Sequence, residues 1–397
     1  AVRMTRWQHR EAFRIGTLCL RCVETYLYLG ITLQNDLGWS THVHSISIKA
    51  RKALGMLKHI SVTNGHFSPR VSLHLYSALV RPILEYACPV WSNAIIQNQR
   101  RKLELIQTDF LKWLLGAVAS TPVVAVRLEL GTQSLATRWT DLSFRFVQKI
   151  EENPNHRRIA TDILALSRTI QTPWLRGVIA SCAKVNISER DVQNIGRSLS
   201  EMIGKYRAKL DEHEETVARE QIIVRPSLAT FAQVRSWTVI SKTRAWSNSL
   251  IGKKSHRFLE PFVNDKDRKG VVLKFRARTD TIQWGIALAK LHSRASMEVC
   301  NICNTGSRQT VEHVVMECKG MEQHREIMFA RLREYMTPSS NSLSFDTFMK
   351  MDVDQQFFLL LGRSTGSVEL DQAIDLSIRI FLKTADRLIS ETGFPSY

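Results

Sequence analysis

The chain has 397 residues, 44% of them hydrophobic and 23% charged, an ordinary globular balance that excludes a disordered chain and leaves room for two or three domains. Seven cysteines are too few, and odd in number, for a disulfide scaffold, so a reducing compartment is expected; no apolar run of eighteen residues marks a membrane span, and the arginine-rich start lacks the apolar core of a secretory signal. The net charge of +18 is unevenly placed, with 15 basic and 6 acidic side chains in residues 1–120, 30 and 17 in 121–297, and 10 and 14 in 298–397. A basic body fits a polyanion such as nucleic acid; the bland alternative is a well-solvated surface.

Leu18 to Leu33 reads as strand, with Tyr26 and Tyr28 on one face and Leu27 and Leu29 on the other, closed by Gly30 and the turn residues Gln34-Asn35-Asp36. Three helices are predicted next. The first opens at Ser40 or Thr41 and repeats apolar positions from Val43 through Ile46, Ala50, Leu54 and Leu57 to Ile60, keeping Lys49, Arg51, Lys52 and Lys58 off that stripe. The second has Ser68 as N-cap and Pro69 in its first turn, and Pro82 kinks it. The third runs from about Asn93 to a glycine stop at Gly116, with Arg100, Arg101 and Lys102 on its outer side. Together they make a small bundle.

Residues 121–297 have mostly helical periodicity. A helix is predicted from Ser188 through Leu210, and a run from Ser227 interleaves Trp237, Trp246 and Phe258 with Arg235, Lys242, Arg244, Lys253, Lys254 and Arg257; aromatics among cations can stack on bases, although at helical spacing they also serve a core. Lys274-x-Arg276-x-Arg278 reads as an extended segment with three cations on one face. A terminal helical region is expected around Leu370 to Ser390.

Cys300-x2-Cys303-x9-His313-x4-Cys318 gathers three of the seven cysteines and one histidine into a short stretch. A two-residue gap between cysteines forms a knuckle that aims both sulfurs at one ion, and four thiolate and imidazole ligands with no acidic ligand suit a structural Zn²⁺. Asn304, Thr305 and Gly306 supply turn chemistry, and Val311 to Met316 reads as a short apolar element carrying His313. On a continuous helix His313 and Cys318 would stand about 140° apart, so that helix must end or bend before Cys318. The competing reading is reduced cysteines that merely lie close. Two weaker patterns are set aside: Cys19-x2-Cys22 with His42 and His44, where buried thiols are expected instead, and His213-x-Glu215, which would need a proline where Val299 stands to resemble a zinc deaminase.

Tyr26-Leu27-Tyr28-Leu29-Gly30-Ile31, then Leu37-Gly38-Trp39 and His42, resemble the primer-grip hairpin that ends the palm of non-LTR (LINE-like) retrotransposon reverse transcriptases. Leu79-Val80-Arg81-Pro82-Ile83-Leu84-Glu85-Tyr86 with Val90-Trp91, and Leu103-Glu104-Leu105-Ile106-Gln107, are similar to that family's thumb helices. Arg276 to Lys290, the Cys-Cys-His-Cys box and the trailing Arg325 are similar to its linker and zinc knuckle. The resemblance covers about the first 120 residues and 270–325, and rests on motif order more than on any single motif.

The resemblance implies a mainly α chain with a small β hairpin at the N-terminus: 1–39 as the end of a palm, 40–120 as a three-helix thumb, 121–297 as a basic helical linker, 298–325 as a zinc knuckle and 326–397 as a C-terminal helical region. It implies that Tyr28, Leu29 and Gly30 hold a primer terminus, and that the bundle lies against a primer-template duplex. Lys49, Arg51, Lys52, Arg101 and Lys102 would face its phosphates, and Lys274, Arg276 and Arg278 would support nucleic-acid contacts by the zinc box. Expected partners are RNA, DNA or an RNA–DNA duplex and the fingers-palm region of the same polyprotein, within an intracellular ribonucleoprotein of nucleus and cytoplasm, with no membrane. Polymerisation needs paired carboxylates on Mg²⁺, and no Asp-Asp pair occurs in this chain, so Mg²⁺ belongs to the parent polymerase and this fragment alone is expected to be inactive. The alternative is a non-catalytic zinc-containing nucleic-acid-binding or interaction protein derived from such an element.

Overall fold

Two short antiparallel hairpins open the described chain, β1 (Arg14–Ile15) with β2 (Leu18–Cys19), and β3 (Thr25–Tyr28) with β4 (Ile31–Gln34). The computed structural model describes residues 14–20, 23–151, 172–183, 216–235, 267–292, 298–303, 305–336 and 343–392, with scattered positions between 162 and 213. The single strand expected over Leu18 to Leu33 is therefore broken. Leu29 (φ +46°) and Gly30 (φ +83°) both take left-handed backbone, the requirement of a two-residue hairpin loop whose twist matches its strands. Tyr26 pairs with Leu33 and Tyr28 with Ile31.

The chain is otherwise mainly α. Helix α1 (Ser40–Thr63) begins where expected, and Gln34 at the end of β4 reaches over to accept the Thr41 N–H at 2.8 Å, satisfying one of the donors a helix start leaves open. Ser68 caps α2 (Pro69–Leu79) by accepting the Val71 N–H, and before Pro82 the chain breaks into α3 (Arg81–Glu85) instead of kinking. A short α4 (Cys88–Trp91) precedes α5 (Gln97–Leu115), which stops at Gly116 in the left-handed conformation. Val43, Ala50, Leu54, Tyr76, Leu84, Trp91, Leu103 and Phe110 fill the core between them.

Conserving that core takes more than apolar burial. Glu85 accepts two bonds from Arg138, at 2.5 and 3.0 Å, and Tyr86 Oη donates to Leu29 O at 2.8 Å, tying the hairpin loop to the bundle. Glu104 accepts from Arg127 and from the Ala136 N–H, so it joins α6 (Val123–Leu130) and α7 (Leu135–Glu151) to α5. Helix α8 (Pro173–Ala183) seats Gly177 against the bundle so closely that a Cβ there would lie 2.0 Å from Asn93 O. Asn93 is itself held by Ser143, at 2.9 Å. Gly177→Ala is expected to exceed the ~1–3 kcal/mol of ordinary overpacking, because the obstacle is backbone; a denaturant midpoint equal to that of the parent chain would refute the packing.

Helices α9 (Ala229–Val234), α10 (Arg268–Arg278), α11 (Gly285–His292), α12 (Glu322–Tyr335), α13 (Phe345–Lys350), α14 (Val353–Leu360) and α15 (Val368–Glu391) complete the described fold. The last matches the helix expected near Leu370 to Ser390. Helix α10 stands between two cores. Val271 and Phe275, one turn apart, enter the bundle core, while Leu273 and Ala277 on the other side enter a second core built from α12 to α15 and the cysteine box.

The remaining stripe of α10 overturns the extended segment expected at Lys274-x-Arg276-x-Arg278. These residues are helical, and Lys274 and Arg278 are 1% and 0% exposed. Lys274 Nζ pairs with Asp375 Oδ1 at 2.6 Å, Arg379 pairs with the same carboxylate, and Arg278 pairs with Glu129 at 2.8 Å. Arg235, drawn from the expected aromatic-cation run, is likewise buried, 3.7 Å from Glu129. The rest of that run beyond Arg235, and the helix expected from Ser188 apart from Tyr206 and Lys209, lie outside the described residues.

Candidate metal centre

Residues 298–310 fold back on themselves through a single antiparallel bridge, Val299 with Arg308, and the Cys300 N–H donates to Ser307 O at 2.8 Å. Gly306 (φ +76°) takes left-handed backbone in the turn between the bridge partners. The chain then forms one π-helical turn, His313–Glu317, and leaves the helix at Cys318. The bend required by the His313–Cys318 spacing is thus met by widening the helix: the Cys318 N–H donates to His313 O, five residues back, at 2.7 Å.

The four side chains converge. One ligand atom from each of Cys300, Cys303, His313 and Cys318 lies within 4.8 Å of the others, so the group could hold a metal ion. Cys300 Sγ and Cys318 Sγ are 3.8 Å apart, and Cys303 Sγ is 3.5 Å from His313 Nε2. Three ligands are buried and Cys303 is half-exposed. Burial pushes the Cys303 thiol up, but hydrogen bonds with Thr305, His313 and Cys300 outweigh it and bring the thiol down to about 6, while burial and the neighbouring Cys300 push Cys318 up to about 12. Polar groups outside the four hold them in place. His313 Nδ1 faces Glu317 Oε2 at 3.4 Å, which leaves Nε2 turned toward the cysteines. Arg325 donates to Val315 O and Cys318 O, and Gln309 Nε2 approaches Cys300 Sγ at 3.8 Å while its Oε1 accepts the Gly285 N–H. Glu317 and Gln309 had no motif to announce them; only their contacts reveal the role.

The second cysteine pattern does not assemble among the described residues. Cys19 is exposed, contrary to the buried thiol expected, and Cys22 lies outside the described residues. His42 Nδ1 accepts the Thr32 N–H at 3.3 Å and packs edge-on to Trp39 and Trp91, a core role.

The cations of the bundle divide by helix face. Arg51 is exposed two turns before Lys58 on the side of α1 that meets α5, where Lys102 Nζ lies 3.3 Å from His44 and Lys58 pairs with Asp109 at 2.8 Å. Lys49 and Lys52 are exposed on the opposite side of α1, and Arg101 is exposed on α5, so the five do not form one face. Tyr28 and Leu29 are exposed at the hairpin tip, with Gly30 packed against the Tyr86 ring. Arg276 is half-buried and donates to Gly116 O at 2.8 Å. Of the three cations ahead of the box, it alone retains accessible surface. No helix among the described residues is long and apolar enough to cross a membrane.

No family model matches the chain, and no solved structure matches it. It is 21% identical over 136 residues to the RNA-directed DNA polymerase from mobile element jockey of Drosophila melanogaster, covering 34% of this chain and 15% of that protein. It is 25% identical over 148 residues to the putative 115 kDa protein in type-1 retrotransposable element R1DM of the same organism, covering 36% of this chain and 14% of that one. The matched stretch is thus about one-seventh of each relative's length. Over about a third of its length the chain is similar to two proteins of mobile elements, one of them an RNA-directed DNA polymerase.

Proposed function

We propose that this chain is the nucleic-acid-gripping, C-terminal portion of an RNA-directed DNA polymerase of a non-LTR retrotransposon. The observation that carries the reading is the cationic rim along the α1/α5 seam, with Arg51 exposed and Lys58 and Lys102 half-buried beside it, on a chain similar to a mobile-element polymerase. In this reading the rim meets the phosphates of an RNA–DNA duplex and the loop at Tyr28, Leu29 and Gly30 meets the primer end. Hairpin β3–β4 exposes Tyr26, Leu27, Tyr28 and Leu29, more apolar surface than an isolated two-stranded ribbon keeps in water, and the rest of the polymerase would cover it. Phosphate contacts release counterions, so duplex affinity is expected to fall steeply with salt, and Arg51→Ala with Lys102→Ala to reduce the log–log salt slope by about 1 per contact. A flat salt response in fluorescence anisotropy would refute the grip.

The metal in this reading is a structural Zn²⁺ held by Cys300, Cys303, His313 and Cys318. Tetrahedral zinc with bonds of about 2.3 Å to sulfur and about 2.0 Å to nitrogen sets sulfurs about 3.8 Å apart and sulfur to nitrogen about 3.5 Å. The distances here, 3.8 Å for Cys300–Cys318 and 3.5 Å for Cys303–His313, fit those values. When bound, the ion would close the loop at 300–318 onto the second core, leaving no position for a substrate.

A further inference from the structure

A polar groove of about 550 Å³ opens where the bundle meets the second core, lined by His66 after α1, by Arg268, Lys269 and Arg276 of α10, and by Asp386 and Ser390 of α15. Its three cations face one carboxylate, and that carboxylate is occupied: Asp386 accepts from Trp284 Nε1 at 3.2 Å and pairs with Lys269 at 2.9 Å. The two guanidiniums are pre-positioned. Arg268 lies over the Trp113 ring at 4.8 Å and donates to Trp113 O, while Arg276 donates to Gly116 O, so each spends one donor on the end of α5 and retains others of the five a guanidinium carries. His66, in left-handed backbone at φ +67°, closes one wall with a buried Nδ1 that has no hydrogen-bond partner.

The groove continues the cationic rim. Lys58, two turns after Arg51 on the same side of α1, lies 5.7 Å from the Trp113 ring, which Arg268 also covers. Fixed guanidinium forks and a lysine beside an apolar-poor channel recognise phosphate oxygens, not a hydrophobic ligand. We propose that this groove seats the phosphodiester backbone of a nucleic-acid strand as it leaves the α1/α5 rim, with Arg268, Lys269 and Arg276 holding successive phosphates. The assignment rests on the nucleic-acid reading above and adds a second contact region to it.

The test compares a blunt RNA–DNA duplex with the same duplex carrying a single-stranded extension, by anisotropy across a salt series. For the unmodified chain the extension should tighten binding and steepen the salt slope. Lys269→Gln with Arg276→Gln should weaken extended-duplex binding about tenfold and lower its slope by about 2, leaving the blunt duplex unaffected. Because Arg276 also braces Gly116, Lys269→Gln alone serves as a second variant that keeps that brace and gives up an exposed lysine's pair with Asp386, and it should lose affinity for the extended duplex alone. Binding indifferent to the extension, or an extended-duplex affinity unchanged in both variants, overturns the groove while leaving the rim standing. An unmodified chain that binds neither duplex overturns the underlying reading and the groove with it.

Discussion

Stripping the proposed zinc with a chelator is expected to unfold the helices between 311 and 392, not only to slacken the loop that carries the cysteines. Cys300, Val314, Val315 and Cys318 belong to the same buried core as Met328, Phe348, Leu360, Ile378 and Leu382. Asn301 Nδ2 also donates to Ile389 O at 3.3 Å, and Arg325 on α12 holds the carbonyls of Val315 and Cys318. Structural zinc supplies apparent binding free energies of about 10–16 kcal/mol in small zinc modules, comparable to the whole stability of about 5–15 kcal/mol of an ordinary domain. Cys318→Ser should therefore lose the proposed zinc and lose hydrogen-exchange protection along α15. Full protection of α15 after chelation, or a metal content near zero in the purified chain, would remove the centre from the fold's supports.

The second large effect is expected at Glu129. Its side chain is 0% exposed between Arg278 and Arg235, and it is the buried acid that joins α6 to α10 and to the end of α9. Burial pulls Arg278 down to about 10 even with this carboxylate alongside, and lowers Arg235 as well, and Glu129 offsets part of the cost of burying both guanidiniums. Glu129→Gln removes the charge that two buried guanidiniums share and should cost about 3–5 kcal/mol in chemical denaturation. The surface pair Arg308–Glu298 is the control, since its removal should change stability by less than about 1 kcal/mol. Equal losses from the two substitutions would mean that Glu129 is not the buried counter-ion described.

Both predictions concern features that differ in how far they could be read from the chain. The Cys/His cluster was legible because Cys300 and Cys303 are separated by two residues and their geometry is set within one turn. Ser68 before Pro69, Gly116 after Leu115 and the helix near Leu370 to Ser390 were legible for the same reason: caps and stops act over three or four residues. Lys274 and Arg278 were misread because a buried helix flanked by two cores shows no one-sided apolar stripe, and alternating cations then imitate an extended segment. Tyr86, by contrast, stood in a recognisable stretch whose use of its hydroxyl on Leu29 O nothing local could disclose.

By itself the sequence determined a mainly α chain, the start of α1, the cap and stop at Ser68 and Gly116, the Cys/His cluster and a basic body, all consequences of neighbours a few residues apart. Only the tertiary structure decided which cations remain available to a polyanion. The partners that remove Lys274 and Arg278 from the surface, Asp375 and Glu129, come from distant helices, and a charge is desolvated by whatever packs around it, not by its neighbours in the chain.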